Sequence, residues 1–300
     1  MTLSAILLVL CAAFLHAGWN LLAKRAAQAG PVFVLAYSAC ACLIYTPWVV
    51  WIFWRSHIAE SAAGLDATGP SLTGLLVMVA SGLIHLAYNL CLQQGYAKAD
   101  LSVVYPVARG TGPLVSVLGA FVLLQEPASL TGIAGMLCVV TGIVLIASQG
   151  RLAMFWRPEG RTGLLWGLLT GSLIACYTLT DATAVKLLGV APVLLEWVCN
   201  LMRVAMLAPL ALKNRHLAGQ RMQGHWRRAA AIGLFSPLAY ILVLTAIAHG
   251  APLSLVAPLR ESSMMVGALL GMVLLKEAVG PARLAGCAIL VLGVVLLSGS

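Results

Sequence analysis

The sequence predicts an all-α integral membrane protein, with ten transmembrane helices forming two inverted five-helix repeats around a central cavity. Three observations predict it. The chain is too apolar and too poor in charge for a surface in water. Its apolar residues fall in runs of membrane-crossing length, and one long stretch occurs twice. The residues are 61% hydrophobic and 9% charged, whereas about a quarter are charged in a soluble domain.

The repeat organises the chain. Its first copy runs from Tyr88 to Glu126 and its second from Tyr240 to Glu277. Tyr88, Ser102, Val104 and Pro106 align with Tyr240, Ser254, Val256 and Pro258 without a gap. One deletion after the proline then aligns Arg109 with Arg260, Glu126 with Glu277, Gly135 with Gly286 and Gly142 with Gly293. Self-similarity over such a length marks duplicated structural units, here residues 1–150 and 151–300. The first helices of the two halves match only through Lys24 and Lys186.

Crossing the hydrocarbon takes about 17–25 apolar residues in a helix. Runs of that length cover 2–23, 32–54, 71–97, 101–124, 128–148, 161–183, 191–212, 228–248, 252–275 and 281–298. Turn-forming or charged residues separate them, among them Gly30-Pro31, Gly69-Pro70, Asp100, Glu126-Pro127, Ala191-Pro192, His249-Gly250 and Gly280-Pro281. Helices are required because lipid offers no water to an unpaired backbone group. Five spans per half is an odd number, so equivalent helices cross in opposite directions and the halves are related by an axis in the membrane plane. Small residues mark close helix approach. They recur at Gly163, Gly167 and Gly171 in the sixth span and at Gly267 and Gly271 in the ninth. Gly135/Gly142 and Gly286/Gly293 give the fifth and tenth spans glycine faces with almost no polar atoms, as expected of packing staves away from any substrate.

The net charge of +9 resides in short connectors without aromatic interleaving, a pattern that excludes a nucleic-acid surface and fits basic loops beside a membrane. Connectors after odd-numbered spans hold nearly all the Lys and Arg, which by the positive-inside rule places both termini outside the cytoplasm. The eight cysteines lie within apolar runs without C-x-x-C or His pairing, so they read as small core residues. Trp48, Trp51, Trp54 and Trp156 sit at span ends, where an interfacial aromatic belt accounts for them.

An ionisable group deep in a span is expensive and therefore a functional candidate. The cations are Arg109, Arg203 and Arg260, and the acids are Asp181, Glu196 and Glu261. Three against three points to mutual neutralisation rather than to a highly charged ligand. Glu196 and Arg203 stand two turns apart, beyond the usual three- or four-residue pairing, so their partners are expected on other helices. Arg109 and Arg260, each just after a proline, either clamp a carboxylate or phosphate or serve local carbonyls and a neighbouring acid such as Glu261. Glu196 reads either as a proton-coupling carboxylate or as half of a permanent ion pair, with Glu261 the other coupling candidate.

Polar residues also form helical stripes. His16, Trp19 and Asn20 share a face of the first span, and His85, Tyr88, Asn89 and Gln93 a face of the third. Tyr177, Thr180 and Asp181 do so in the sixth, Glu196, Asn200 and Arg203 in the seventh, and Ser236 and Tyr240 in the eighth. Polar faces on apolar helices must point inward, so these stripes predict one water-accessible cavity walled by Trp19, Tyr88, Tyr177 and Tyr240. No G-x-S-x-G, H-E-x-x-H, nucleotide-binding glycine loop or metal-binding carboxylate cluster occurs, so no catalytic, cofactor or metal site is expected.

With two five-helix halves over the whole chain, glutamates in LLQEP at 123–127 and LLKEA at 274–278, prolines before Arg109 and Arg260, and HAGWNLLAK at 16–24, the sequence resembles the drug/metabolite transporter superfamily, in particular its ten-helix EamA-type members. The resemblance implies that helices one to four and six to nine surround a cavity, with five and ten peripheral. It implies a multi-pass protein of a plasma membrane (the bacterial inner membrane) that moves amino acids, other metabolites or drugs, often outward. It also implies cytoplasmic termini, against the charge count, so orientation stays open. The combined expectation is alternating access for a small polar or amphipathic solute, an amino acid-like compound, organic acid, amine or drug, by a monomer or homodimer. His16, Trp19, Asn20, His85, Tyr88, Asn89, Arg109, Tyr177, Asp181, Tyr240 and Arg260 are the expected substrate-binding residues, with Glu196 and Glu261 for coupling. The competing expectation is a non-transporting membrane protein, either a sensor or a lipid-modifying enzyme.

Overall fold

The computed structural model describes the chain except residues 25, 27, 28, 63–70, 100, 152, 154, 156, 157, 214, 268–279, 299 and 300. The apolar runs become helices α1 (Leu3–Lys24), α2 (Pro31–Ala62), α3 (Leu72–Lys98), α4 (Leu101–Leu123) and α5 (Leu130–Ser148) in the first half. The second half holds α6 (Pro158–Lys186), α7 (Pro192–Lys213), α8 (Arg215–Met222), α9 (Trp226–Ala248), α10 (Leu253–Arg260) and α11 (Pro281–Ser298). Among the described residues, nine of these are long and apolar enough to cross a membrane. Their outer faces carry exposed leucines and phenylalanines such as Phe14, Leu43, Leu130 and Leu165, a surface suited to acyl chains and unsuited to water.

Three features depart from the sequence reading. The connector at 213–227 contains a short basic helix, α8, whose Met222 is buried against Phe33 and Ile232. The ninth span is not one continuous helix. α10 stops at Arg260, Glu261 makes a turn, and the chain is helical again over 262–267. Pro258 lacks the N–H that would continue the α-helical ladder, and the turn is closed by i→i−3 bonds, Glu261 N–H to the Pro258 carbonyl and Met264 N–H to the Glu261 carbonyl. Gly271, Glu277 and Trp156 lie outside the described residues. A Cβ on Gly267 would meet nothing within 4 Å among the described atoms, so the expected close approach there is not seen.

The glycine faces show the inversion directly. A Cβ added to Gly135 would lie 3.0 Å from the Gly293 carbonyl, and one on Gly142 would lie 2.7 Å from that of Gly286. In the repeat, Gly135 corresponds to Gly286 and Gly142 to Gly293, so the contacts are crossed. Crossing is what antiparallel equivalent helices produce. α5 and α11 thus pack backbone to backbone, with Val139, Ile143 and Leu290 fully buried along the seam. Gly163, Gly167 and Gly171 of α6 instead receive Val103, Val107 and Thr111 of α4, residue for residue in the same direction. α6 also packs against α3, and α1 packs against α9. Each half's first helix therefore lies against the other half, and the two are interlocked rather than merely adjacent.

One buried carboxylate ties the halves at the membrane edge. Glu126, in the turn between α4 and α5, accepts the Leu253 N–H at 2.8 Å and the Ser254 N–H at 2.9 Å, capping α10, and meets Lys186 Nζ at 2.8 Å. A negative charge is favoured at a helix N-terminus, where the first N–H groups lack intrahelical partners. Burial would raise the Glu126 carboxyl, but the Lys186 ammonium and the Ser254 and Leu253 donors outweigh it and hold the group below its ordinary value.

That direction fixes a pH dependence. A depressed folded-state value means Glu126 contributes stability above its unfolded value, about 4.3, and loses it as pH falls through the lower folded value. Glu126→Gln should therefore lower thermal stability at pH 6 and 7, and the gap to wild type should narrow in unfolding scans taken below pH 4. A gap that stays constant across that range would show that the charge contributes nothing.

Candidate functional site

A cavity of about 320 Å³ lies in the middle of the bundle. It is lined from α1, α2, α3, α4, α6, α7, α9 and α10, and by no described residue of α5 or α11. Each polar stripe reaches it because the opposite face of its helix is apolar and must face lipid or a neighbour. α1 places His16, Trp19 and Asn20 there, and α3 places His85, Tyr88 and Asn89. Arg109 comes from α4, Tyr177 from α6, Glu196 and Arg203 from α7, Ser236 and Tyr240 from α9, and Arg260 from α10.

The aromatic wall is continuous. His85 stacks on Tyr177 with ring centroids 4.0 Å apart. Tyr88 and Tyr240 meet Tyr177 edge-on at 5.7 and 6.2 Å, the tilted geometry that ring quadrupoles favour. His85 Nδ1 lies 3.0 Å from the Ser81 carbonyl, which can only accept, so this nitrogen carries the proton. His16 is the reverse: its Nε2 lies 3.2 Å from Arg109 Nη2, and a guanidinium can only donate, so Nε2 is the acceptor.

Two of the expected site residues do not face the cavity. Asp181 is fully buried behind it, accepting Ser81 Oγ–H and the Tyr240 hydroxyl, the latter at 2.6 Å. Its carboxylate fixes the Tyr240 ring and does not reach the lumen. Glu261 is likewise buried, with Arg109 Nη1 at 3.4 Å from one oxygen and Arg260 Nε at 3.5 Å from the other. The arginine pair thus has the neighbouring acid as a shared partner. The repeat explains why a single carboxylate serves both. Opposite Glu261 the first half has Gly110, so only the second half supplies an acid at that level.

The expectation that Glu196 and Arg203 cannot meet is corrected. Asn200 stands between them, donating to Glu196 Oε1 at 2.8 Å and accepting from Arg203 Nη1 at 3.2 Å, while Arg203 Nη2 lies 3.9 Å from Glu196 Oε1. A long arginine folded back along its own helix spans the two turns that the residue spacing seemed to forbid.

Tyr37, Tyr96 and Tyr105 also line the cavity. Two carried a legible signal. Tyr105 precedes Arg109 by four residues, and its ring lies 5.7 Å from the guanidinium carbon. Tyr96 continues the α3 stripe three residues past Gln93. Tyr37 stands alone in an apolar span and carried none. Among the described residues no group of His, Cys, Asp or Glu is arranged to hold a metal, and all eight thiols are unpaired.

The sequence matches the EamA-like transporter family over residues 3–148 and again over 161–299. The chain belongs to that family. A solved structure, described only as a crystal structure of protein, is similar with a TM-score of 0.73 and 18% identity, covering 98% of each chain. At that identity the likeness concerns the fold. Membership in the EamA-like family makes the protein a multi-pass membrane transporter of small solutes, and the peripheral place of α5 and α11 agrees with the family's expected architecture.

Removing one partner of a buried ion pair leaves the others uncompensated and costs about 3–5 kcal/mol. Glu261→Gln strands two guanidiniums and should lower unfolding stability by that order. The double variant Glu261→Gln/Arg109→Gln should recover part of the loss. Strict additivity of the two single variants in denaturant titrations would show that they do not interact.

Proposed function

We propose that this EamA-like protein is a secondary transporter that moves a small polar or amphipathic solute by alternating access, its two halves rocking around the central cavity. The observation that carries the reading is the convergence of polar side chains from eight helices on one cavity, inside a bundle whose outer faces are apolar. The crossed glycine contacts of α5 and α11 support it, because inverted halves can exchange conformations and so open the same site first to one side and then to the other. The cavity volume is at the small end of the about 300–1,000 Å³ typical of ligand sites, which suits a metabolite. An all-helical bundle fits a plasma membrane, including the bacterial inner membrane, since outer-membrane spans are β-barrels.

The test is accessibility. In a background without native cysteines, Asn89→Cys and Tyr240→Cys should each react with a membrane-impermeant thiol reagent from either face of oriented vesicles. Adding a transported solute should shift the ratio between faces. Reaction from one face only would favour a sensor or a lipid-modifying enzyme with a single mouth.

We assign any proton coupling to Glu196, the carboxylate that lines the cavity, rather than to Glu261, which is enclosed by two arginines. Glu196→Gln should flatten the dependence of solute flux on external pH between about 5 and 8, the range in which a buried carboxylate can titrate. An unchanged profile would leave Glu196 as a structural ion pair.

A further inference from the structure

We propose that the solute is a small organic monoanion, a carboxylate on a flat apolar body without an ammonium group, and that Arg109, Arg260 and Trp19 receive the carboxylate. The inference rests on the transport reading for what the cavity does, and on the geometry alone for what it binds.

Among the described residues, the buried polar atoms of the cavity lining that lack a partner are all donors: Trp19 Nε1, Arg109 Nε, Arg203 Nε and Arg260 Nη2. A buried donor without an acceptor is costly, so the missing component is one that brings oxygen lone pairs. Three of the four belong to one cluster. Arg109 and Arg260 share Glu261, and Arg109 also bonds His16, whose ring meets Trp19 at 5.0 Å. A carboxylate matches this cluster because its two oxygens accept along planar directions that guanidinium N–H groups supply.

The placement of charge points the same way. Arg109, Arg203 and Arg260 line the cavity, whereas Asp181 and Glu261 stand behind its wall and only Glu196 faces in. Cations therefore dominate the lumen while the acids behind them limit the excess, which favours a single negative charge over several. An ammonium meets a weaker counterpart: Glu196, the one of these three acids that faces in, already accepts from Asn200 through Oε1 and has Arg203 Nη2 at 3.9 Å from that oxygen. Asn20 and Asn89 each donate one amide N–H to a helix carbonyl and carry neutral oxygens, which suit a hydroxyl but do not neutralise a cation. The wall of His85, Tyr88, Tyr177 and Tyr240 supplies flat apolar faces for the body of the solute.

The experiment uses four probes of one shape on the purified full-length protein: phenylacetate, phenylacetamide, phenethylamine and phenylalanine. A ligand that binds the folded state raises its thermal midpoint. Phenylacetate should raise it and the other three should do so much less, with direct titration giving the same order. Trp19→Phe keeps the ring and removes the N–H, and should weaken phenylacetate binding about tenfold, the effect of one hydrogen bond to a charged group. Equal or stronger stabilisation by phenethylamine, phenylalanine or phenylacetamide overturns the proposal, as does a panel in which no probe shifts the midpoint. Unchanged phenylacetate affinity in Trp19→Phe overturns the assignment of the carboxylate end. These outcomes are separate from the accessibility result: one-sided labelling with phenylacetate bound would sink transport and leave the ligand class standing.

Discussion

Two arginines buried in the bundle depend on one carboxylate. Arg109 and Arg260 occupy equivalent positions in the two halves, and a guanidinium in lipid-excluded protein without a counter-charge would be prohibitive. Glu261 supplies the counter-charge to both from a helix that breaks at that residue. The break falls at the acid itself, in a turn closed by the bond from the Glu261 N–H to the Pro258 carbonyl. The pair then holds α4 against α10 across the pseudo-symmetry axis, and the cavity forms beside it. A symmetric protein with glycine at both positions would have two like charges facing each other and no site.

The rest of the bundle is arranged so that this polar centre can exist in a membrane. Glycines on α5 and α11 let two nearly featureless helices meet backbone to backbone, which keeps them out of the eight-helix ring. Glycines on α6 let α4 approach closely and in parallel. Close packing of small residues replaces the hydrophobic driving force that is missing between helices in lipid. At one membrane edge the Glu126–Lys186 pair and the α10 N-terminus form a second, independent tie between halves. The interior is thus crossed by charge and the periphery by van der Waals contact.

Much of the cavity was legible because the polar stripes are one-dimensional patterns. A helix in lipid must turn its polar face inward, so His16, Trp19, Asn20, His85, Tyr88, Asn89, Tyr177, Tyr240, Arg109 and Arg260 could be assigned to a common interior from spacing alone. The cases that failed have specific causes. Asp181 shares a stripe with Tyr177, yet it is drawn behind the wall by Ser81 and Tyr240, contacts made across three helices. Glu196 and Arg203 meet because side-chain length, which spacing rules ignore, lets arginine fold back onto Asn200. Tyr37 has no polar neighbour at helical spacing, so nothing local marked it.

Composition, span length and the duplicated stretch were sufficient, by themselves, to determine an all-helical membrane protein of two inverted halves. Those properties follow from how each segment meets lipid, a local condition that every helix satisfies separately. The tertiary structure alone decided which acid answers which base, which side chains reach the lumen and where the ninth span breaks. Those depend on distances between residues far apart in the chain, and a buried charge is settled by the group a few ångströms away whatever its place in the sequence.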